Sequence, residues 1–227
     1  VGYNLAYGIP EGGFIGSFLP WSDASSVDTG YSDGSDWFFQ MVFCATTCSI
    51  VSGTLAERIK IWPFFLFCAI LAGIIYPIEM GWQWGGGHLA AAGFSDFAGS
   101  TLVHSAGAAA ALAGALLLGP RLGRFKESGE AAPMEPFASS SIPLATLGVF
   151  ILWMGWFGFN GGSQLAMGSF EDSSAVATIF INTNLAACAG VMACAAVSRL
   201  VTGKTDVIMM LNGALGGLVA ITAEPLA

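Results

Sequence analysis

Beyond Asp36, charged residues divide the chain into six long apolar stretches separated by short polar segments. A helix rises about 1.5 Å per residue and a hydrocarbon core is roughly 30 Å thick, so about 20 residues suffice for one crossing. Each stretch has room for one helix, although the last one is at the short limit. The pattern predicts six membrane spans, at approximately 37–56, 61–80, 97–119, 139–159, 174–198 and 207–223.

Two segments precede these spans. Residues 1–8 have the pattern of the last turns of a further helix, and the segment from Ile9 to Asp36 is rich in Gly, Pro, Ser and Asp, which is typical of a long loop. Because the sequence starts at Val1 without an initiator Met and stops abruptly at Ala227, we expect a fragment of a larger protein. We predict an all-α polytopic membrane protein in which residues 1–227 belong to a single transmembrane domain.

Composition agrees with a membrane protein and narrows the classes of function. Only 10% of the residues are charged and 55% are hydrophobic, whereas a soluble domain carries about 25% charge. The net charge of −8 and the lack of a basic patch exclude nucleic-acid binding. All five cysteines lie in apolar segments. Cys44 and Cys48 share a helix face, but no His or acid near them completes a metal site, so we predict small buried hydrophobic residues.

The charges also predict an orientation. When successive loops are assigned to alternate sides, all cationic residues fall on one side, which the positive-inside rule makes cytoplasmic: Arg58, Lys60, Arg121, Arg124, Lys126, Arg199 and Lys204. The opposite side receives ten of the fifteen acids and no basic residue. Two explanations stay open, because an acidic face attracts cations, while the sorting of positive charge alone produces the same asymmetry.

His104 and Asp96 mark the span at 97–119. An ionisable side chain inside a span is costly enough to be a functional hypothesis by default, although contact with a neighbouring helix is the alternative explanation for His104. Asp96 lies just before the helix, where a carboxylate can accept backbone N–H groups such as that of Gly99. We favour this ordering role over direct binding of a cation.

Aromatic residues supply the other candidate positions. Trp84 precedes three glycines, and an indole face attracts cations while glycines permit close approach of a ligand. The alternative is an interfacial tryptophan, which suits Trp82 better. Phe39 and Phe43 share a helix face, as core residues also do. His88 is expected to be a solvated loop residue.

Several motifs together carry a family resemblance. Asp-Phe-Ala-Gly-Ser-Thr-Leu-Val-His at 96–104, the Gly/Ala run that follows it, Trp-Gly-Gly-Gly at 84–87 and Thr-Leu-Ala-Glu-Arg at 54–58 resemble the ammonium transporter family in the same order. The resemblance implies a bundle that has eleven helices in the complete family fold, of which this chain matches the second to the eighth. It also implies a homotrimer with one pore per subunit, no enzymatic activity and no cofactor.

The resemblance assigns roles to individual positions. Trp84, Phe43 and Ser163 match the outer recruitment site for the cation, and Phe43 and Phe159 match the two gate rings. His104 matches a pore histidine that pairs with a second histidine in the family, and no counterpart of that second motif occurs before Ala227. Asp96 matches an acid that mainly orders the site.

These matches imply conduction of ammonium or ammonia through a hydrophobic pore in a cell membrane. The expected partners are the substrate, membrane lipid and two further copies of the chain, and a regulatory partner stays open. An ammonium sensor coupled to a signalling domain is the alternative function. A Rhesus-type gas channel would lack Trp84, while a metal transporter or intramembrane enzyme would need clustered carboxylates or a second catalytic group near His104.

Overall fold

The structure, a computed structural model, describes residues 1–22, 31–125, 130 and 139–227. Residues 23–30, 126–129 and 131–138 therefore lie outside the described residues. They include Lys126 and part of the predicted loop from Ile9 to Asp36. In the described ranges, five helical segments are long and apolar enough to cross a membrane. A further apolar helix of 15 residues covers Val207–Ile221. The predicted all-α membrane class is confirmed.

The helices are numbered in chain order. Their bounds are α1 Gly2–Tyr7, α2 Asp33–Leu55, α3 Ile61–Ile70, α4 Tyr76–Gly81, α5 His88–Ala91, α6 Ala106–Leu118, α7 Ile142–Gly162, α8 Phe170–Thr202 and α9 Val207–Ile221. Two further segments are π-helical. Leu71–Ile75 connects α3 to α4, and Ser100–Ser105 leads into α6. Hence Ile61–Gly81 and Ser100–Leu118 are continuous helices, with a wider turn in the middle of the first and at the start of the second.

Pro77 explains the first π-helical segment. Proline has no backbone N–H, so Gly73 loses the helical donor that would normally reach its carbonyl from four residues ahead. The chain adjusts by widening one turn, and the Tyr76 N–H donates to the carbonyl of Leu71, five residues back. Such single wide turns replace a kink where the regular hydrogen-bond ladder is interrupted.

Short polar side chains start the long helices. Ser32, Ser141, Ser169 and Asp206 each accept the backbone N–H three residues later, at distances of 3.1, 3.3, 3.0 and 3.1 Å. These bonds satisfy donors that the first helical turn leaves free. Helix α8 ends at Thr202, and the capping residue Gly203 adopts a left-handed conformation with φ of 76°.

Atomic contacts group the chain into two compact units, Val1–Ser95 with Thr101–Met134, and Asp96–Ser100 with Glu135–Ala227. In the first unit, α2 packs along α6. A Cβ at Gly107 would come within 3.0 Å of Ile50, so the missing side chain permits the close approach that small residues allow between membrane helices. A buried cluster of Val51, Leu55, Leu71 and Ala111 lies beside this contact.

The turn after α2 is fixed to the end of α6 within the same unit. The Arg58 guanidinium donates to the carbonyl oxygens of Thr54 and Gly119, where a cation complements the negative ends of two helices. Glu57 and Arg121 form an exposed ion pair of 3.4 Å, which adds little stability because water screens it. Arg58 therefore has a structural role at the ends of α2 and α6.

In the second unit, α8 and α9 approach until their backbones touch. A Cβ at Gly190 would collide with the carbonyl oxygen of Gly213, and one at Gly217 would collide with that of Ala186. Trp156 of α7, Ala187 of α8 and Leu218 of α9 form the core of this unit. The assignment of the whole chain to one transmembrane domain stays a prediction.

Candidate functional site

The first unit brings Phe43 and Trp84 together. Helix α2 carries Phe43, whose side chain is 1% exposed, and its ring centroid lies 5.5 Å from that of Trp84. Phe39, one turn earlier on α2, meets Phe43 edge to face at 4.7 Å. The indole of Trp84 is only half-buried. Residues distant in sequence therefore build one aromatic group, in which Phe43 is buried between the rings of Phe39 and Trp84.

The glycines after Trp84 have a structural role that the sequence did not indicate. A Cβ at Gly85 would collide with the carbonyl oxygen of Ala6 in α1, and one at Gly87 would lie 2.8 Å from the Gly81 carbonyl oxygen. Their small size thus lets the loop pack on the protein's own backbone, whereas we expected it to permit the approach of a ligand. Gly86 differs, because its φ of 75° calls for glycine and a Cβ there would meet no atom within 4 Å.

His88 is not the solvated loop residue that we expected. Its imidazole stacks on Phe14 with centroids 4.2 Å apart and meets Trp82 edge to face at 5.0 Å. Its Nδ1 atom is buried and has no hydrogen-bond partner among the described residues. The prediction was wrong because the aromatic partner Phe14 lies far from His88 in sequence, so that no local pattern reveals the contact.

His104 lies in the second π-helical segment, Ser100–Ser105, and its side chain is half-buried. The neighbouring Leu102 and Val103 are fully buried. Wide π-helical turns are frequent at functional sites, since they change the direction in which one side chain points. An ionisable residue at such a turn within a 19-residue apolar span fits a role beyond packing.

Asp96 orders the segment that leads into this span. Its side chain is 1% exposed, and Oδ1 accepts the backbone N–H groups of Gly99 at 2.9 Å and Ser100 at 3.0 Å. The next two residues bind the end of α9, because the N–H groups of Phe97 and Ala98 donate to the carbonyls of Ala223 and Thr222. All these contacts lie within the second unit.

Phe159 and Ser163 lie at the end of α7 in the second unit. The ring of Phe159 is 5.5 Å from that of Trp156. Ser163 follows the last residue of α7, and its hydroxyl donates to the Phe159 carbonyl at 2.9 Å. Because this bond uses the hydroxyl proton, the oxygen can serve a further ligand only as an acceptor. An N–H donor such as ammonium matches that polarity.

A buried polar network beside Phe159 was missed in the sequence. The Asn160 side-chain amide donates to Thr183 at 3.0 Å, and the Thr222 hydroxyl lies 3.0 Å from Asn160 Oδ1 and accepts the Trp156 indole N–H at 2.8 Å. Asn160, Thr183 and Thr222 are fully buried. The network joins α7, α8 and α9 directly behind Phe159. Polar residues inside apolar spans were the available signal.

Two acidic side chains, Asp33 and Asp36, lie in the first turn of α2. The Tyr3 hydroxyl donates to Asp36 Oδ2 at 2.7 Å, and Asp36 is buried. Burial, together with the negative charges of Asp36 and Asp33, raises the pKa of Tyr31 above its ordinary value. Burial is the larger cause of this shift, and Asp33 and Asp36 in the first turn of α2 add negative charge to it. Among the described residues, no group of three or more His, Cys, Asp or Glu side chains could hold a metal ion.

Comparison with known proteins identifies relatives of this chain. The chain is 42% identical over 233 residues to ammonium transporter Amt2 of Archaeoglobus fulgidus, covering 98% of this chain and 48% of the relative. It is 36% identical over 239 residues to ammonium transporter 1 member 1 of Arabidopsis thaliana, covering 97% of this chain and 47% of that protein. The chain thus spans about half the length of these relatives, which are transporters by name.

Solved structures show the same fold. A structure titled Sensor Amt Protein matches 100% of this chain and 56% of its own, with a TM-score of 0.86 and 35% identity. Mep2 of Candida albicans matches 99% of this chain and 49% of its own, with a TM-score of 0.85 and 30% identity. The model of the Ammonium Transporter Family matches residues 1–225. The chain therefore belongs to the ammonium transporter family.

Proposed function

We propose that this protein moves ammonium or ammonia across a cell membrane through a hydrophobic pore. The observation that carries the proposal is the pairing of Phe43 with Trp84 at 5.5 Å in the first unit. A partly desolvated aromatic pair attracts a cation by about 0.5–2 kcal/mol. The negative field at the start of α2 adds a longer-range attraction.

The remaining roles follow from the positions that match the motifs of the ammonium transporter family. Ser163 contributes an acceptor oxygen to recruitment, and Phe43 and Phe159 act as gate rings. A narrow apolar gate favours neutral ammonia over hydrated ammonium, because stripping water from an ion is costly. His104 accepts a hydrogen bond from ammonia or relays a proton, as a neutral imidazole can do. Asp96 acts by ordering the segment before His104.

We expect Trp84→Leu to weaken capture of the substrate while the pore stays open. The half-saturation concentration for methylammonium uptake should rise by about 2- to 30-fold, the equivalent of losing the cation–π attraction. The maximal rate should change less, since the substitution does not touch His104. Uptake is measured over a range of substrate concentrations in cells that express the complete reading frame.

Trp62→Leu is the matched control for this experiment. Trp62 is 77% exposed at the start of α3, and its ring meets that of Phe65 on the same helix. This variant loses the same side chain without affecting Phe43. Unchanged uptake by the Trp84 variant at limiting substrate would show that the aromatic site is wrongly placed.

The proposed orientation places the loops with Arg58, Arg124 and Arg199 in the cytoplasm. We expect an Arg124→Cys variant, in a background without the native cysteines, to resist an impermeant maleimide added to intact cells. Ser95→Cys is the control, because Ser95 is exposed and lies on the side predicted to face outward. Labelling of position 124 from outside would contradict the orientation.

A homotrimer with one pore per subunit is part of the same proposal. Cross-linking of the purified protein and a measurement of its mass in detergent give the number of subunits. A monomer that transports at the full rate would contradict an obligatory trimer.

A sensor is the second candidate function. The match to the structure titled Sensor Amt Protein, at 35% identity over the whole chain, favours keeping it. A sensor uses the same binding groups but transmits occupancy to a signalling domain. Sequencing of the complete reading frame decides between the two, because a kinase-like or cyclase-like region would favour the sensor.

A further inference from the structure

We propose that His88 is a positioning residue which holds the loop of Trp84 in the conformation that captures the cation. This inference rests on the proposed function, because it assigns His88 a part in the same recruitment site. It does not require His88 to touch the substrate. The residues that carry it all belong to the first unit.

Two loop segments meet at His88. One follows α1 and contains Phe14, and the other runs from Trp82 to His88 after α4. Their backbones are joined by the Gly12 N–H to the Gly86 carbonyl and by the His88 N–H to the Gly13 carbonyl, both at 3.0 Å. The two segments thus form one layer, and Trp84 lies in the middle of the second segment.

Side-chain contacts also join the two segments, at both ends of the loop from Trp82 to His88. Trp82 donates its indole N–H to the Phe14 carbonyl at 2.8 Å. The His88 ring lies flat on Phe14, at 4.2 Å and 23° between planes, and meets Trp82 at 5.0 Å and 65°. His88, the last residue of the loop, therefore contacts both Trp82, the first residue of the loop, and Phe14 in the segment after α1.

Trp84 depends on that closure. Its own N–H donates to the Met80 carbonyl at 2.9 Å, but beyond Gly85 the loop turns through Gly86, which adopts a positive φ. Without the stack between His88 and Phe14, the chain from Trp82 to His88 can adopt more conformations. Binding of a cation at Trp84 then requires the loss of this added freedom, which weakens binding. Preorganisation of this kind strengthens binding without adding a contact to the ligand.

The chemistry of the stack explains which property of His88 matters. Its Nδ1 has no hydrogen-bond partner among the described residues, so the ring acts through its flat aromatic surface. A phenyl ring should therefore replace it. The aliphatic side chain of leucine fills similar space but lacks the flat aromatic face.

Methylammonium uptake by variants of the full protein tests the inference. We expect His88→Leu to raise the half-saturation concentration by about 2- to 10-fold, the effect of losing aromatic pairs, with the maximal rate little changed. His88→Phe should restore the original value. Phe14→Leu should reproduce the effect of His88→Leu, and the double variant should be no weaker than either single variant, because both changes open one stack.

The Trp84→Leu background separates the possible failures. If His88 acts through Trp84, His88→Leu should add little to the effect of Trp84→Leu. Fully additive effects, or a normal half-saturation concentration in His88→Leu, would overturn the positioning role while leaving the recruitment site intact. An unchanged half-saturation concentration in Trp84→Leu alone would overturn the recruitment site and this inference together. Surface expression of each variant, measured in parallel, shows that the comparison concerns folded protein.

Discussion

Replacing His104 with alanine is expected to abolish the transport of ammonia, or to leave a flux that is no longer selective. The side chain lies at a π-helical turn inside an otherwise apolar span, where polar groups are retained for function. Loss of a positioned proton-transfer group reduces a rate by about 10²-fold or more. Uptake assays and current recordings on purified, reconstituted protein measure this loss.

The folded oligomer should survive the His104 substitution. The side chain is only half-buried, so that its removal takes little from a close-packed core. Leu112→Ala is a suitable control, because Leu112 lies on the same helical span and is 61% exposed. It should retain flux. Wild-type flux with unchanged selectivity in the His104 variant would assign this histidine to packing and would reject the relay.

Asp96→Ala is expected to produce the second large effect, a loss of stability together with transport. Two backbone N–H groups, those of Gly99 and Ser100, would lose their acceptor beside a fully buried side chain. Unsatisfied buried donors cost about 1–3 kcal/mol each. The segment that they order leads directly to His104. Thermal unfolding of the purified protein and methylammonium uptake measure the two consequences.

Asp96→Asn distinguishes ordering from binding of the cation. Asparagine caps helices about as well as aspartate does and keeps an acceptor oxygen, so the ordering role predicts near-normal stability and substantial transport. A stable Asp96→Asn protein without transport would instead show that the negative charge binds the cation. Asp206→Ala is the control, since Asp206 also caps a helix but is exposed. It should lower stability by about 1 kcal/mol without impairing uptake.

The long apolar helices lie near the stretches that the charges delimit, but the ends of the helices do not follow from the charges. Helix α8 runs over Phe170–Thr202, beyond the predicted 174–198, and α2 starts at Asp33. Glu171 and Asp172 lie in the first turn of α8, and Arg199 in its last turn. Such charges are favourable at these ends because they oppose the helix dipole. Charge therefore marks the ends of the apolar stretch, and the helix continues past them.

The sequence by itself determined the helical membrane class, the family and the identity of the aromatic and ionisable candidates. The class follows because an apolar run long enough to cross a bilayer is rarely found outside membrane helices. The family follows because the motifs around Trp84 and His104 are distinctive. Tertiary structure alone decided which side chains meet: Phe43 with Trp84, and His88 with Phe14. These contacts join residues separated by 41 and 74 positions along the chain. Local patterns report only neighbours within a turn or two, so a histidine that stacks on a distant ring looks the same in sequence as one in water.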